Sequence, residues 1–332
     1  MNAGADFGRH VSVHTDLALE AHETATKSGW DSQGARVESS DFAGGRVTRV
    51  VVENELGAVR LGKPPGTYVT IEAPGLRSHD VDLREQVSKV LAAELTKLTS
   101  REAGGNTLVV GLGNWNVTPD SLGPRVIEEL LVTRHLFEYA PDYVDDGMRS
   151  VCALAPGVLG LTGIETGDII HGLVERIKPT AIVAVDALAA RSIDRLCTTI
   201  QIADTGISPG SGVGNKRQPL NRETLGVPVL AVGVPSVVYA NTIVLDALDR
   251  LKESLEQETN GDRTMAGVLG ALSDQERGQL LHEVLSPYWG ELVVTPKETD
   301  EQIRQMSKVV AGGLNVALQP GLTTSDTLRY LQ

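Results

Sequence analysis

The 332-residue sequence has few aromatic residues and only two cysteines. Because Phe, Trp and Tyr make up 4% of the chain, we expect a core built mainly from Val, Leu, Ile and Ala. The cysteines, Cys152 and Cys197, form neither a CxxC pair nor a disulfide framework. We interpret both as small buried thiols, which fits a reducing compartment.

The sequence also lacks a long apolar run and an excess of basic residues. It has no run of about 18 apolar residues and no apolar signal segment at its N-terminus, so we expect a cytoplasmic protein with no membrane span. Its 30 Lys and Arg are outnumbered by 43 Asp and Glu, which gives a net charge of -13. Since phosphate binding requires clustered positive charge, we expect no direct binding to nucleic acid or to anionic membranes.

From residue 107 onwards, short apolar strands alternate with amphipathic helices. This alternation predicts an α/β fold with a mostly parallel sheet sandwiched by helices. Strands of this sheet are expected at Thr107–Val110, Val151–Leu154, Ala181–Val185, Thr199–Ile202 and Val229–Val232. Helices are expected at Leu122–Phe137, Ile164–Ile177, Leu188–Leu196, Pro235–Leu255 and Pro296–Leu318.

The first third of the chain has a different pattern. Residues 1 to about 45 are polar, and we expect a weakly packed arm with one helical patch at 16–27. Arg46–Val52 and Tyr68–Glu72 predict a small N-terminal β element. An amphipathic helix is expected to follow at Asp80–Leu98.

We therefore divide the chain at about residue 105. Residues 17–104 comprise the arm, the small sheet and the helix, and residues 105–332 form the α/β core. A polar helical insertion is expected at about 256–290. The segment 17–332 is expected to fold as one compact domain.

Two aspartates follow apolar strands, where an open α/β sheet places its chemistry. Asp120 lies beyond the strand at Thr107–Val110 and the glycine loop Gly111–Asn114, and Asp186 ends the strand that begins at Ala181. We predict these aspartates as a catalytic pair. Two carboxylates placed close together share a proton, so one can act as general base toward a water while the other protonates the leaving group. Peptide hydrolysis requires these two roles.

Each aspartate also has a structural interpretation. Asp120 could be the N-cap of the following helix. Asp186 could be a buried carboxylate paired with Arg191, since an unpaired buried charge is costly.

Other motifs are incomplete. The loop Gly111–Asn114 lacks the third glycine of a dinucleotide fingerprint, and the glycine-rich loop 206–217 lacks the Gly-Lys-Ser/Thr of a Walker motif. His135 and His171 lack HExxH spacing, and we interpret both as structural. We therefore predict neither a cofactor nor a metal.

Long motifs spread along the chain carry a resemblance to a known family. They are GLGNWNVTPDSLGP (111–124), LLVTRHLFE (130–138), APGVLGLTGIETGDII (155–170), VDALAARSIDR (185–195), DTGISPGSGVGNKR (204–217), HEVLSPYWGELVVTPKE (282–298) and VVAGGLNVAL (309–318). From about residue 12 to about 318 the sequence resembles the germination protease family of spore-forming bacteria. The resemblance implies a fold similar to that of the hydrogenase-maturation endopeptidases. It also implies that the family's proposed catalytic pair falls on Asp120 and Asp186.

The resemblance further implies a substrate and a maturation pathway. An endopeptidase of this kind initiates degradation of small acid-soluble spore proteins in the spore core during germination, cleaving after an acidic residue. It is made as an autoprocessed zymogen and assembles as a homotetramer. The family cuts before an apolar residue followed by alanine, so Asp16-Leu17-Ala18 implies a propeptide of residues 1–16 and a new N-terminus at Leu17. Asp16 could alternatively be an N-cap of the helical patch.

Recognition of an acidic side chain calls for a basic pocket. We assign this role to Arg191, Lys216 and Arg217. Two alternatives to the metal-free protease remain open: a metal-dependent endopeptidase that uses the same carboxylates, and a non-catalytic α/β protein that binds spore proteins.

Overall fold

The computed structural model describes residues 15–78, 80–99, 105–208, 218–247 and 292–321. Within these residues, nine strands form one sheet with helices on both faces. The expected α/β fold is confirmed. Several sequence predictions concern residues outside the described ranges: residues 1–14 of the propeptide, Lys216 and Arg217, and the insertion at 256–290.

The strands form a mixed sheet. They are β1 (Ala35–Phe42), β2 (Gly45–Val52), β3 (Gly66–Glu72), β4 (Asn106–Gly111), β5 (Ser150–Leu154), β6 (Ala181–Ala190), β7 (Thr199–Ala203), β8 (Val229–Tyr239) and β9 (Val293–Val294). Their order is β1-β2-β3-β7-β8-β6-β4-β5, and β9 pairs with β8. The half formed by β8, β6, β4 and β5 is parallel. The remaining pairings are antiparallel, and through β7 they join the expected small N-terminal β element to the main sheet.

Helices cover both faces of the sheet. They are α1 (Ala18–Lys27), α2 (Glu55–Leu61), α3 (Val81–Thr99), α4 (Leu122–Glu128), α5 (Arg134–Tyr139), α6 (Leu159–Thr162), α7 (Thr166–Ile177), α8 (Arg222–Leu225) and α9 (Thr299–Leu318), and residues 240–247 are also helical. On one face α3, α4 and α9 bury Leu91, Val126 and Leu314 against the sheet. On the other face α7 and α1 pack, with Ile170 and Ala18 in the core.

Two predicted helices begin as strands in the structure. The helix expected at Leu188–Leu196 is wrong, because β6 continues to Ala190 and pairs with β8 as far as Val238. The helix expected to begin at Pro235 is also wrong at its start, because β8 continues to Tyr239. Alanine favours helix in isolation, but burial between neighbouring strands decides the conformation of these segments.

Two other predictions are corrected. Residues 35–42 form β1 rather than a loose arm, and the mostly exposed β1 pairs with β2 alone among the described strands. The helix expected at Leu122–Phe137 is interrupted between α4 and α5. There the Asn315 side chain of α9 accepts from Leu131 N at 2.8 Å and donates to Glu129 O at 3.0 Å, so it takes over backbone groups that a continuous helix would pair.

Both cysteines are free thiols, Cys197 buried and Cys152 half-buried. Burial raises the pKa of Cys197 to about 12 and also raises that of Cys152, so both thiols stay protonated near neutral pH. Among the helices of the described segments, none is both long and apolar enough to cross a membrane.

The end of α7 supports a first stability prediction. Lys178 follows this helix with a left-handed backbone, φ 48° and ψ 59°, and its side chain is exposed. A side chain in this conformation costs about 1 kcal/mol, which glycine avoids. We expect Lys178→Gly to raise the free energy of unfolding, measured with urea, by about 0.5–1 kcal/mol. The matched Lys89→Gly change inside α3 should lower it by about 1 kcal/mol. A destabilised Lys178→Gly variant would contradict this account.

Candidate active site

The loop after β4 brings Asp120 back to the end of its own strand. Asp120 closes the 3₁₀ turn Thr118–Asp120, and its carbonyl accepts from Asn114 N at 2.9 Å. Gly113 has φ 113°, and a Cβ there would lie 2.0 Å from Asp120 O. Because any side chain at position 113 would collide with this backbone, glycine is required for the loop to close.

Asp120 is not the N-cap of α4. The cap residue is Ser121, which makes no side-chain cap bond, and Asp120 is half-buried in the preceding turn. This turn contacts β6 and β8 beyond the end of β4. The N-cap interpretation is therefore wrong.

Asp186 lies in the middle of β6 and is only 7% exposed. Its neighbour Val185 is opposite Gly111, the last residue of β4, so Asp186 is the first position of β6 beyond that strand end. Leu112 N donates to Val185 O at 2.8 Å, and a Cβ on Gly123 would lie 2.6 Å from the same oxygen. The residue of β6 next to Asp186 is therefore the one against which the Asp120 loop and the start of α4 fold.

The pairing of Asp186 with Arg191 does not fit this geometry. The Cα atoms of Asp186 and Arg191 are five positions apart on extended chain, a separation of about 16 Å. The Arg191 guanidinium donates to Thr24 Oγ1 at 3.0 Å and lies 3.4 Å from the Asp246 carboxylate.

Asp186 belongs to a row of polar residues that crosses the sheet. Asp186 is opposite Gly233 of β8, Gly233 is opposite Gln201 of β7, and Gln201 is opposite Thr70 of β3. Residues in register share a face of the sheet, here the face that α1 and α7 cover. Thr70, Gln201 and Asp186 are all buried. The row therefore places polar groups within an otherwise apolar layer.

The predicted processing site is bound to the same face. Asp16 N donates to Ala189 O at 2.9 Å, and the Asp16 carboxylate accepts from Ala189 N at 2.8 Å. Leu17 is fully buried and packs with Leu188 of β6. The N-cap interpretation of Asp16 is wrong, because Leu17 occupies the cap position of α1.

The residues assigned to an acidic-side-chain pocket are only partly described. Arg191 lines a cavity of about 380 Å³ whose wall also contains five carboxylates, those of Glu20, Glu23, Glu72, Asp194 and Asp246. Within the described residues, the Asp16 carboxylate is bound by Ala189 N rather than by Arg191. Lys216 and Arg217 lie outside those residues, and the assignment stays a prediction.

One arginine holds α1 against the sheet. Arg195 donates from Nε to Glu72 of β3 at 2.9 Å and from Nη1 and Nη2 to Glu23 of α1 at 2.8 Å each. Its Nη1 is also 3.2 Å from Glu20, which is 1% exposed. Burial opposes the charge of Arg195, but the three carboxylates outweigh this effect and raise its pKa. Glu20 also accepts from the backbone N–H groups of Arg191 and Ser192.

The described ranges contain no group of three or more His, Cys, Asp or Glu side chains that could hold a metal ion. His171 is exposed and lies 3.8 Å from Glu175 on the same helix, and His135 is exposed on α5. Among the described residues, neither histidine is part of the candidate site.

Comparison with known proteins places the chain among peptidases. The family model described as germination protease matches residues 12–262 and 251–331. The germination protease of Clostridium acetobutylicum is 50% identical over 96% of this chain and 99% of its own length. That of Caldanaerobacter subterraneus is 50% identical over 97% and 98%, and that of a Geobacillus species is 44% identical over 99% and 100%.

A solved structure shows a weaker likeness. The [NiFe] hydrogenase maturation protease HycI from Thermococcus kodakarensis KOD1 matches 43% of this chain and 80% of its own, with 20% identity and a TM-score of 0.27. This overlap is too small to assign any residue by comparison.

Proposed function

The chain belongs to the germination protease family and is a peptidase, and we propose that it initiates the degradation of small acid-soluble spore proteins by cutting them after an acidic residue. The observation that carries the chemistry is the buried carboxylate of Asp186, on the first residue of β6 beyond the end of β4. The loop that contains Asp120 folds back to the same strand end. The proposed catalytic groups are these two carboxylates.

The arrangement supports hydrolysis by a water molecule. We infer that the two carboxylates approach closely enough to share one proton, because two adjacent negative charges are costly. The ionised carboxylate accepts a proton from water, whose oxygen attacks the peptide carbonyl carbon. The protonated carboxylic acid then donates to the leaving nitrogen. No covalent enzyme intermediate is needed.

We propose that the chain is a zymogen cut between Asp16 and Leu17. The binding of Asp16 to Ala189 and the burial of Leu17 support this site, because they hold the segment against β6, the strand of Asp186. The proposed propeptide is residues 1–16.

A homotetramer in the spore core is also proposed. Large apolar side chains that are exposed between residues 137 and 164 support self-association, because aromatic and other apolar side chains are commonly buried at protein interfaces. They include Phe137, Tyr139, Tyr143, Leu161 and Ile164.

A peptide assay tests the function. We expect the purified full-length chain, once it has processed itself, to cut the peptide SVHTDLALEA, which reproduces residues 12–21, between its Asp and Leu. The same peptide with Asn in place of that Asp should stay intact, because the proposed specificity requires an acidic residue. Mass spectrometry of the products with and without a chelator is the measurement, and a purified small acid-soluble spore protein is the second substrate.

Other outcomes identify the alternatives. Activity lost with chelator and restored by a divalent ion would indicate a metal-dependent endopeptidase. Binding of the spore protein without any cleavage would indicate a non-catalytic binding protein.

A further inference from the structure

Two side chains from distant parts of the sequence converge on one backbone oxygen, the carbonyl oxygen of Asp16. Lys63 Nζ donates to it at 2.9 Å, and Gln201 Nε2 donates to it at 3.0 Å. This oxygen belongs to the peptide bond between Asp16 and Leu17. It is the atom that would gain negative charge if water attacked that bond.

The same two residues hold the chain on both sides of this carbonyl. Lys63 Nζ also donates to Thr15 O at 3.2 Å, and Gln201 Oε1 accepts from Ala18 N at 2.7 Å. Because Gln201 binds the carbonyl before Leu17 and the amide after it, the bond is held in one orientation. Contacts of this kind depend on the backbone alone and would bind any substrate sequence.

The carbonyl lies on the face of the sheet that carries Asp186. Gln201 and Asp186 are two strands apart in one row, which is about 10 Å between Cα atoms, with Gly233 between them. A Cβ on Gly233 would lie 2.4 Å from Leu188, and Leu188 packs with Leu17. The bond after Asp16 is therefore held over the row that includes the candidate catalytic carboxylate.

We propose that Lys63 and Gln201 are catalytic residues that bind the carbonyl oxygen of the acidic residue at the cleaved bond and stabilise the negative charge it acquires. This inference rests on the proposed function, hydrolysis between Asp16 and Leu17. The water oxygen bonds to the Asp16 carbonyl carbon, and a water proton passes to an ionised aspartate. The carbonyl electron pair moves to the oxygen that Lys63 and Gln201 hold.

The second half of the step reverses this movement. The carbonyl re-forms, the bond to nitrogen breaks, and its electron pair stays on Leu17 N, which takes a proton from the protonated aspartate. The products are a new α-carboxylate at the C-terminal end of Asp16 and a new α-amine on Leu17. The two donors are in place before the charge forms, so they need no rearrangement during the reaction.

Lys63 also provides a reason for the acidic preference. Burial lowers the pKa of its ammonium group, while the negative charges of Asp16 and Glu20 oppose this shift. A poorly hydrated cation gains from a nearby carboxylate, so an acidic residue before the cleaved bond favours the charged lysine. Ala189 N binds the same carboxylate directly.

The test follows self-processing of the full-length chain by mass spectrometry. Gln201→Glu keeps an acceptor for Ala18 N but replaces the donor to Asp16 with a negative oxygen. We expect its first-order processing rate to fall about 100- to 1,000-fold, the range seen when one such donor is removed. Lys63→Met is the second variant, with a similar loss expected. The controls are Gln33→Glu and Lys89→Met, both exposed in wild type, and their rates should match wild type.

Hydrogen exchange separates catalysis from docking. If Gln201 only held the segment in place, its substitution would lower the exchange protection of the Ala18 amide as much as it lowers the processing rate. We expect Gln201→Glu to keep most of this protection while the rate falls. The inference would be overturned by a processing rate within threefold of wild type. It would also be overturned by a fall in rate that equals the fall in protection of the Ala18 amide. Either result would leave the proposed function intact. If wild type cuts neither its own bond nor the acidic peptide, the proposed function fails and the inference fails with it.

Discussion

Replacing Asp186 with asparagine is expected to reduce peptide cleavage at least about 1,000-fold while leaving the protein folded. The amide is nearly the same size as the carboxylate and keeps an oxygen for Ala187 N, which donates to Asp186 Oδ1 at 2.9 Å. It can neither accept a proton from water nor supply one to the leaving nitrogen. Because asparagine keeps the shape and this acceptor, we expect the variant to fold as wild type does, which its thermal midpoint checks.

Asp120→Asn is expected to give a similar loss. Since the two carboxylates act on one water and one leaving group, the double variant should be little worse than either single one. Asp142→Asn, an exposed carboxylate beyond α5, is the matched control and should retain wild-type rates. Cleavage rates are measured with the acidic peptide under identical conditions. Undiminished cleavage by both single variants would mean that the aspartates are structural.

Arg195→Met is expected to cost about 3 kcal/mol of folding free energy, because it leaves the buried Glu20 and two partly exposed carboxylates without their cation. Glu20, Glu23 and Glu72 all lie within 3.2 Å of the guanidinium, and Glu20 is 1% exposed. Methionine fills much of the space of the arginine stem but offers no donor, so three negative charges would face each other. Urea denaturation of the full-length protein measures the change.

A matched surface pair gives the control for this prediction. Arg304 is exposed and paired with Glu301 one turn away on α9, so Arg304→Met should change stability by less than about 1 kcal/mol. Since two of the three carboxylates belong to α1, the Arg195 variant should also lose hydrogen-exchange protection in residues 18–27 more than in α9. A loss below about 1 kcal/mol would show that the cluster contributes little to folding.

The helices with strong periodicity and the short apolar strands could be predicted from the sequence. α3, α9 and most of β4, β5 and β7 depend on local patterns that match their final environment. The sequence predicts β6 and β8 to be shorter than they are, because Asp186 and Pro235 resemble strand ends. In the structure the residues that follow them pair as strands. β1 carries no apolar stripe, and its pairing with β2 depends on a partner rather than on its own composition.

The candidate site shows the same limit. Asp120 and Asp186 could be singled out because each follows an apolar strand. Lys63 could not be singled out, because it lies in the Gly62–Gly66 segment, whose composition indicates only a turn. Its hydrogen-bond partners are 47 and 48 residues away in the sequence. Gln201 could not be found either, because its amide meets Asp16 and Ala18 across more than 180 positions of sequence. Contacts between such distant residues exist only once the strands have paired.

The row from Thr70 to Asp186 also constrains how the length of this chain can change over evolution. A residue inserted into or deleted from β3, β7, β8 or β6 would turn every following side chain of that strand to the opposite face and separate Gln201 from Asp186. Length variation is therefore expected in the connections between these strands. The match to the Geobacillus relative extends over 373 residues, more than the 332 of this chain, so it requires gaps. Those gaps should fall in the connecting segments, and the four strands should align without interruption.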